Sequence, residues 1–169
     1  MRLVRLLAVP CLLAATLAGP ADAGVTVAFD HPERFTDAGL HGGYGARSRA
    51  PALDGLARHI EKLGARWLRP GQSLAITVLD IDLAGRFEPW RPTASEVRFL
   101  RDITWPRITL RHVLSEGGRT VAAAEEAVVD LNYQMRPGVG RSGDSLAYEK
   151  AMLDDWFRAR FVEGRPAPR

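Results

Sequence analysis

Leu74-Ala75-Ile76-Thr77-Val78-Leu79-Asp80-Ile81-Asp82-Leu83-Ala84-Gly85 decides how the chain is read. Leu74, Ile76 and Val78 alternate with Ala75, Thr77 and Leu79. With apolar residues on both sides, the stretch predicts an interior strand, Leu74–Leu83. Asp80 and Asp82 continue the Leu74/Ile76/Val78 parity, so that face is expected to leave the core at the strand's end. Gly85 then permits a turn, and Pro89 and Pro92 keep the following connector extended.

Outward from this strand the chain reads in both directions. Val25, Val27 and Phe29 alternate with Thr26 and Ala28, which predicts a strand closed by His31-Pro32. Residues 36–50, rich in glycine around His41 and Tyr44, read as a surface loop. They lack the Gly-Lys-Ser/Thr ending of a phosphate-binding loop. Pro51 to Leu63 carries Leu53, Leu56, Ala57, Ile60 and Leu63 at helical spacing, with Pro51 in the first turn and Gly64 at the stop. In 93–102, Thr93 and Glu96 have capping-box spacing, but the alternation of Val97 and Phe99 favours a strand. Ile103–Leu114 and Thr120–Leu131 read as a hairpin. Ile108, Leu110, His112 and Leu114 form the buried side of its first strand. Val121, Ala123, Ala127, Val129 and Leu131 form that of its second, leaving Arg107 and Arg111 to pair with Glu126 or Asp130. His112 is expected to be a core histidine. A last helix is predicted from Leu146 to about Phe161, capped by Asp144 or Ser145, with disorder after about 163. The expected fold is α+β: a two-layer sandwich with a mixed, mostly antiparallel sheet of four to five strands and two helices on one face.

The N-terminus reads as an address. Arg2 and Arg5 precede the apolar run Leu6–Leu17, and Ala21-Asp22-Ala23 has the form of a cleavage site, giving a signal peptide at 1–23 and a single domain at 24–169. The run is shorter than the roughly 20 residues that span a bilayer. The expected location is therefore the periplasm or the outside of the cell, with nothing spanning the membrane after cleavage. Taking 23 residues from 169 leaves 146, and removes Cys11, the one cysteine. Disulfides, thiolate metal sites and a cysteine nucleophile are thereby excluded. Arg2, Arg5 and Asp22 leave with the leader, so the net charge falls from +3 to +2. That balance is too small for a nucleic-acid footprint.

Chemistry concentrates around the central strand. Asp80 and Asp82, two apart, point the same way and offer one divalent cation two carboxylates. They also suit pairing with arginines. No Gly-x-Ser-x-Gly elbow and no His-Glu-x-x-His is present, and the four histidines stand singly. The rings of Trp90 and Trp105 are expected to pack on the sheet as core, although Trp90 beside Arg91 and Trp105 before Pro106-Arg107 also have the composition of binding hot spots. The candidate surface is therefore Asp80, Asp82, Arg86, Trp90, Arg101, Trp105 and Arg107, with no catalytic residue assigned and no cofactor expected. Its expected partner is a cell-envelope protein or glycan. The alternative is a metal-assisted hydrolase using Asp80 and Asp82.

Several segments carry a resemblance. They are Val78-Leu79-Asp80-Ile81-Asp82-Leu83-Ala84-Gly85; Phe87-Glu88-Pro89-Trp90; Arg101-Asp102-Ile103-Thr104-Trp105-Pro106-Arg107-Ile108; Asp130-Leu131-Asn132-Tyr133; Tyr148-Glu149-Lys150; and Leu153-Asp154-Asp155-Trp156-Phe157. Together they resemble domain-of-unknown-function family 3016, exported proteins of proteobacteria. The likeness runs from Val25 to about Phe157 and departs mainly in the glycine-rich loop near His41. It implies an exported single domain, and it implies no activity and no catalytic residue.

Overall fold

The computed structural model describes residues 24–41, 45–91 and 93–167. The expected leader, the centre of the glycine-rich loop and the last two residues lie outside the described residues. β1 (Gly24–Phe29), β2 (Gln72–Asp82), β5 (Arg107–Glu116) and β6 (Arg119–Val129) form one sheet in the order β1-β2-β5-β6. β1 runs parallel to β2, and the other neighbours are antiparallel. β3 (Arg86–Phe87) and β4 (Arg98–Phe99) pair apart from it as a two-stranded lobe. α1 (Ala46–Trp67) and α2 (Ala147–Phe157) complete an α+β fold. No helix among the described residues is long and apolar enough to cross a membrane.

α1 starts five residues before the expected position and ends past Gly64, with Pro51 inside it. Proline leaves the carbonyl four residues earlier without its helical partner. Tertiary bonds hold the early turn instead: Leu40 N–H donates to Ser48 O at 3.1 Å, and Ser48 Oγ donates to His41 O at 2.8 Å. Gly64 is a contact point rather than a stop. A Cβ there would stand 1.9 Å from Val25 Cγ2, so only glycine lets α1 lie this close to β1. Ala52, Leu56, Ile60 and Leu63 bury against Leu74, Ile76 and Val78 and against Leu153 and Phe157 of α2.

β2 is the interior strand expected, but its parity changes midway. Val78 faces Leu110 and Asp80 faces Thr109, so Leu79 is an extra residue, a β-bulge. The buried residues pass from Leu74, Ile76 and Val78 to Ile81 and Leu83. Asp80 and Asp82 therefore do not continue the core face of β2; the bulge has turned them to the other side of the sheet.

The hairpin closes tightly at Gly117-Gly118, both at positive φ (57° and 78°), which suits a two-residue turn. β5 begins at Arg107, later than expected, and buries Ile108, Leu110 and His112. The expected parity of β6 is reversed. Glu126 and Val128 are buried, whereas Val121, Ala123, Ala127 and Val129 face outward. Across the hairpin Arg111 pairs with Glu125 at 2.8 Å, not with Glu126 or Asp130. After α2 the backbone widens into a π turn, Arg158–Val162, which brings Arg160 and Phe161 against the sheet.

Candidate functional site

The bulge at Leu79 places Asp80 and Asp82 beside the incoming loop 36–39, which bridges to β2 through Asp37 and Asp82. Thr36 donates to Asp80 twice, from its backbone N–H at 2.7 Å and its Oγ1 at 2.8 Å. Asp82 Oδ1 lies 2.7 Å from Arg86 Nη1, an ionic contact without a directed hydrogen bond. Arg107 Nη2 stands 3.8 Å from a carboxylate oxygen of each aspartate. Asp37 takes Arg98 Nη2 at 2.7 Å and Arg86 Nη1 at 3.4 Å. Arg98 also donates to the carbonyls of Ala84, Gly39 and Leu83. Three carboxylates thus interleave with three guanidiniums, and the cluster is neutral.

The sequence reading missed Asp37 and Arg98. Nothing local marks Asp37 within a loop that reads as flexible. Arg98 falls where strand and helix signals compete. The cluster uses the aspartates' oxygens as ion-pair acceptors, and no group of three His, Cys, Asp or Glu among the described residues is arranged to hold a metal ion.

The other candidates lie on the lobe. Glu88, nearly fully buried, accepts from Arg91 Nε at 2.5 Å and from both Nε and Nη2 of Arg101. The hydrogen bond from Arg101, ahead of that from Arg91, holds its carboxyl below the usual carboxylate range. Arg101 N–H donates to Thr104 Oγ1, and Arg101 O accepts from Tyr133 Oη at 2.7 Å. The lobe is therefore tied to the segment after β6. Trp90 and Trp105 are both exposed rather than packed as core. The seven residues proposed from sequence divide into two sets: Asp80, Asp82, Arg86 and Arg107 in the neutral cluster, and Trp90, Arg101 and Trp105 along the lobe and its exit.

Besides Glu88, two further buried acids lie outside the expected surface. Glu126 accepts Trp156 Nε1 at 3.0 Å and both Nε and Nη2 of Arg160 at 2.7–3.0 Å. Burial pushes its pKa up, but the Arg160 fork and the Trp156 N–H more than offset this and leave it lowered. His112, in the core as expected, packs edge-on to Trp156 and Phe161, with Nδ1 3.7 Å from Glu126. Burial, foremost, lowers its pKa. Glu149 of α2 accepts Ala84 N–H at 2.7 Å, and burial, foremost, raises its pKa. On the helix layer, a cavity of about 340 Å³ is lined by Leu63, Arg66, Trp67, Asp154 and Arg158, none of them a sequence candidate.

A family model described as a protein of unknown function (DUF3016) matches residues 23–159. The chain belongs to this family. No curated protein and no solved structure matches it. Segments that carried the resemblance to DUF3016 meet in space. Asp80–Gly85 receives Arg107 from the Thr104-Trp105-Pro106-Arg107 segment, and Gly85 N–H donates to Thr104 O at 2.9 Å. Ala84 receives Glu149 from Tyr148-Glu149-Lys150. Tyr133 bonds Arg101 and packs edge-on to Tyr148, with ring centroids 4.9 Å apart.

Proposed function

We propose that the protein is an exported, non-catalytic binding domain of the cell envelope, and that it meets its partner through the 90–105 lobe and the adjoining 131–135 segment. One observation carries the reading: large apolar side chains are exposed together there. Trp90 and Ile103 are each 72% exposed and Met135 81%, with Val97, Leu100, Trp105 and Leu131 also outward. Exposed apolar patches on a domain this small mark interaction sites, and tryptophan beside arginine supplies the contact area and polar anchoring of a hot spot. Arg91 and Arg101, clamped on Glu88, hold the lobe in shape. The export half of the reading rests on the features of residues 1–23. The partner is an envelope protein or glycan.

The test uses the protein and its Trp90→Ala/Ile103→Ser variant to retain components of an isolated envelope fraction, peptidoglycan included. Both side chains are mostly in solvent, so the variant is expected to melt within about 1 kcal/mol of the wild type. It is expected to lose the retained component. Equal retention by both proteins refutes the lobe as the contact.

A metal-assisted hydrolase built on Asp80 and Asp82 is the second reading, favoured by one observation: Asp82 Oδ1 is buried without a directed hydrogen bond. It predicts a melting rise with calcium, magnesium, manganese or zinc that Asp80→Asn/Asp82→Asn abolishes. At a hundredfold excess over the dissociation constant, the gain is about 2.7 kcal/mol.

A further inference from the structure

The four-stranded sheet has two faces, and the helix layer packs over one. On the other, the ladder places Thr26, Ala75, Val113 and Ala123 in one row and Ala28, Thr77, Arg111 and Glu125 in the next. Ladder partners on neighbouring strands share a face. In β6 the outward side is no less apolar than the inward one: Val121, Ala123, Ala127 and Val129 are exposed beside Glu125, while Glu126 and Val128 are buried. A strand that carries apolar residues on both its sides is patterned for a sheet covered on both faces. In those two rows the charged residues are Arg111 and Glu125, and they pair with each other at 2.8 Å.

We propose that this open face is a self-association surface, occupied by a second copy of the chain stacked sheet on sheet about a two-fold axis. Two arguments select a second copy. The first is charge. A two-fold operator presents the same patch from both sides, and with its axis between the two side chains Arg111 of one copy meets Glu125 of the other and the reverse. The pair is thus its own complement, whereas a partner surface of one sign would set a like charge against one of them. The second is area. Four strands spaced ~4.8 Å apart, of 6, 11, 10 and 11 residues at ~3.3 Å per residue, present roughly 600 Å² per copy. Two copies together bury roughly 1,200 Å², where specific interfaces begin. The side chains of these two rows are short apart from the Arg111–Glu125 pair, and at the far end of the face Arg107 stands 3.8 Å from both Asp80 and Asp82, which it helps to neutralise, so two such faces can approach to the ~10 Å typical of packed sheets.

Sedimentation velocity on the protein, expressed from its full sequence and purified as the host leaves it, tests this. The wild type is expected to sediment with the mass of two chains. Ala75→Lys and Ala127→Lys, both on the open face and away from the helix layer, are each expected to give one-chain mass and to melt where the wild type melts once diluted to its one-chain form. Glu125→Arg sets like charges against each other and is expected to do the same. The exchange Arg111→Glu/Glu125→Arg restores self-complementarity and is expected to recover the two-chain species. A wild type that runs as one chain at every loading concentration overturns the proposal. So does a two-chain species that Ala75→Lys and Ala127→Lys leave intact, since the contact would then lie at the β6 edge or elsewhere.

Discussion

Replacing Arg160 by alanine tests how the buried acid of β6 is tolerated. Glu126 and Arg160 side chains are 4% and 14% exposed, and three N–H···O contacts of 2.7–3.0 Å join them. Removing Arg160 leaves a buried charge hydrogen-bonded by the Trp156 N–H alone, with His112 Nδ1 3.7 Å away. That costs about 3–5 kcal/mol, where an exposed pair would cost under about 1. For a domain of this size the drop in melting temperature is roughly 6–20 °C. The pH dependence gives a second reading of the same event. In the wild type the Glu126 pKa lies below its ordinary 4.5, so its stabilisation is present above that value and is lost as the pH falls. In Arg160→Ala the upward push of burial is largely unopposed, and the folded-state pKa is expected to rise above 4.5. The sign then reverses, and the deficit against wild type should shrink between pH 7 and pH 5. His112, its pKa lowered by burial foremost and by the Arg160 charge as well, adds acid lability below about 6.5; losing Arg160 eases that lability in the variant and shrinks the deficit further on acidification. Urea melts at the two pH values read both quantities. Glu126→Gln/Arg160→Met keeps an acceptor for Trp156 without the charge and should recover most of the loss. A deficit under about 1 kcal/mol at pH 7, or one that grows on acidification, refutes the reasoning.

Two further outcomes follow from the packing. Burial raises the folded-state pKa of Glu149, so its carboxyl costs stability as the pH rises above its ordinary 4.5. Glu149→Gln still accepts the Ala84 N–H, and in thermal melts should gain on the order of 1 kcal/mol, about 2–4 °C, at pH 7, with the gain vanishing near pH 4. Gly64→Ala drives a methyl into Val25 and should cost about 1–3 kcal/mol, more than its ~1 kcal/mol gain in helix propensity. In denaturant melts, Gly64→Ala/Val25→Ala should be no less stable than Val25→Ala alone, because the 1.9 Å contact with Cγ2 is gone and the remaining 3.1 Å contact with the Cβ of residue 25 asks for a shift of only a few tenths of an ångström.

The fold class was legible because its strands announce themselves. β2 is apolar on both sides, β1 alternates, and Gly117-Gly118 sits where a hairpin turns. Side-chain direction was less legible. A bulge costs one residue and has no strong local signature, so Leu79 concealed the face to which Asp80 and Asp82 belong. β6 misled for a different reason. Its odd positions carry the apolar residues, but the turn and the core residues of β5 fix the register, and Glu126 is accepted inside because Arg160 and Trp156 arrive from thirty residues away. The candidate surface was half legible. Asp80, Asp82, Arg86 and Arg107 do come together, but Asp37 and Arg98 reach them only through tertiary contacts. Pro51 reads as a first turn because a sequence window does not contain the bonds from 40 and 41 that hold the preceding turn.

The parallel seam between β1 and β2 has a kinetic consequence. β1 is the first described element of the chain, yet its ladder partner begins at Gln72, with the 22 residues of α1 between them. β2 in turn stands between β1 and β5, so the sheet's interior closes only when Glu116 has arrived. Non-local pairing of this kind is slow, because loop closure must precede any contact that repays it. A chain emerging N-terminus first therefore carries β1 unpaired through most of its length. The β5–β6 hairpin closes locally and offers the template on which β2 and then β1 assemble, so the order of assembly runs against the order of synthesis.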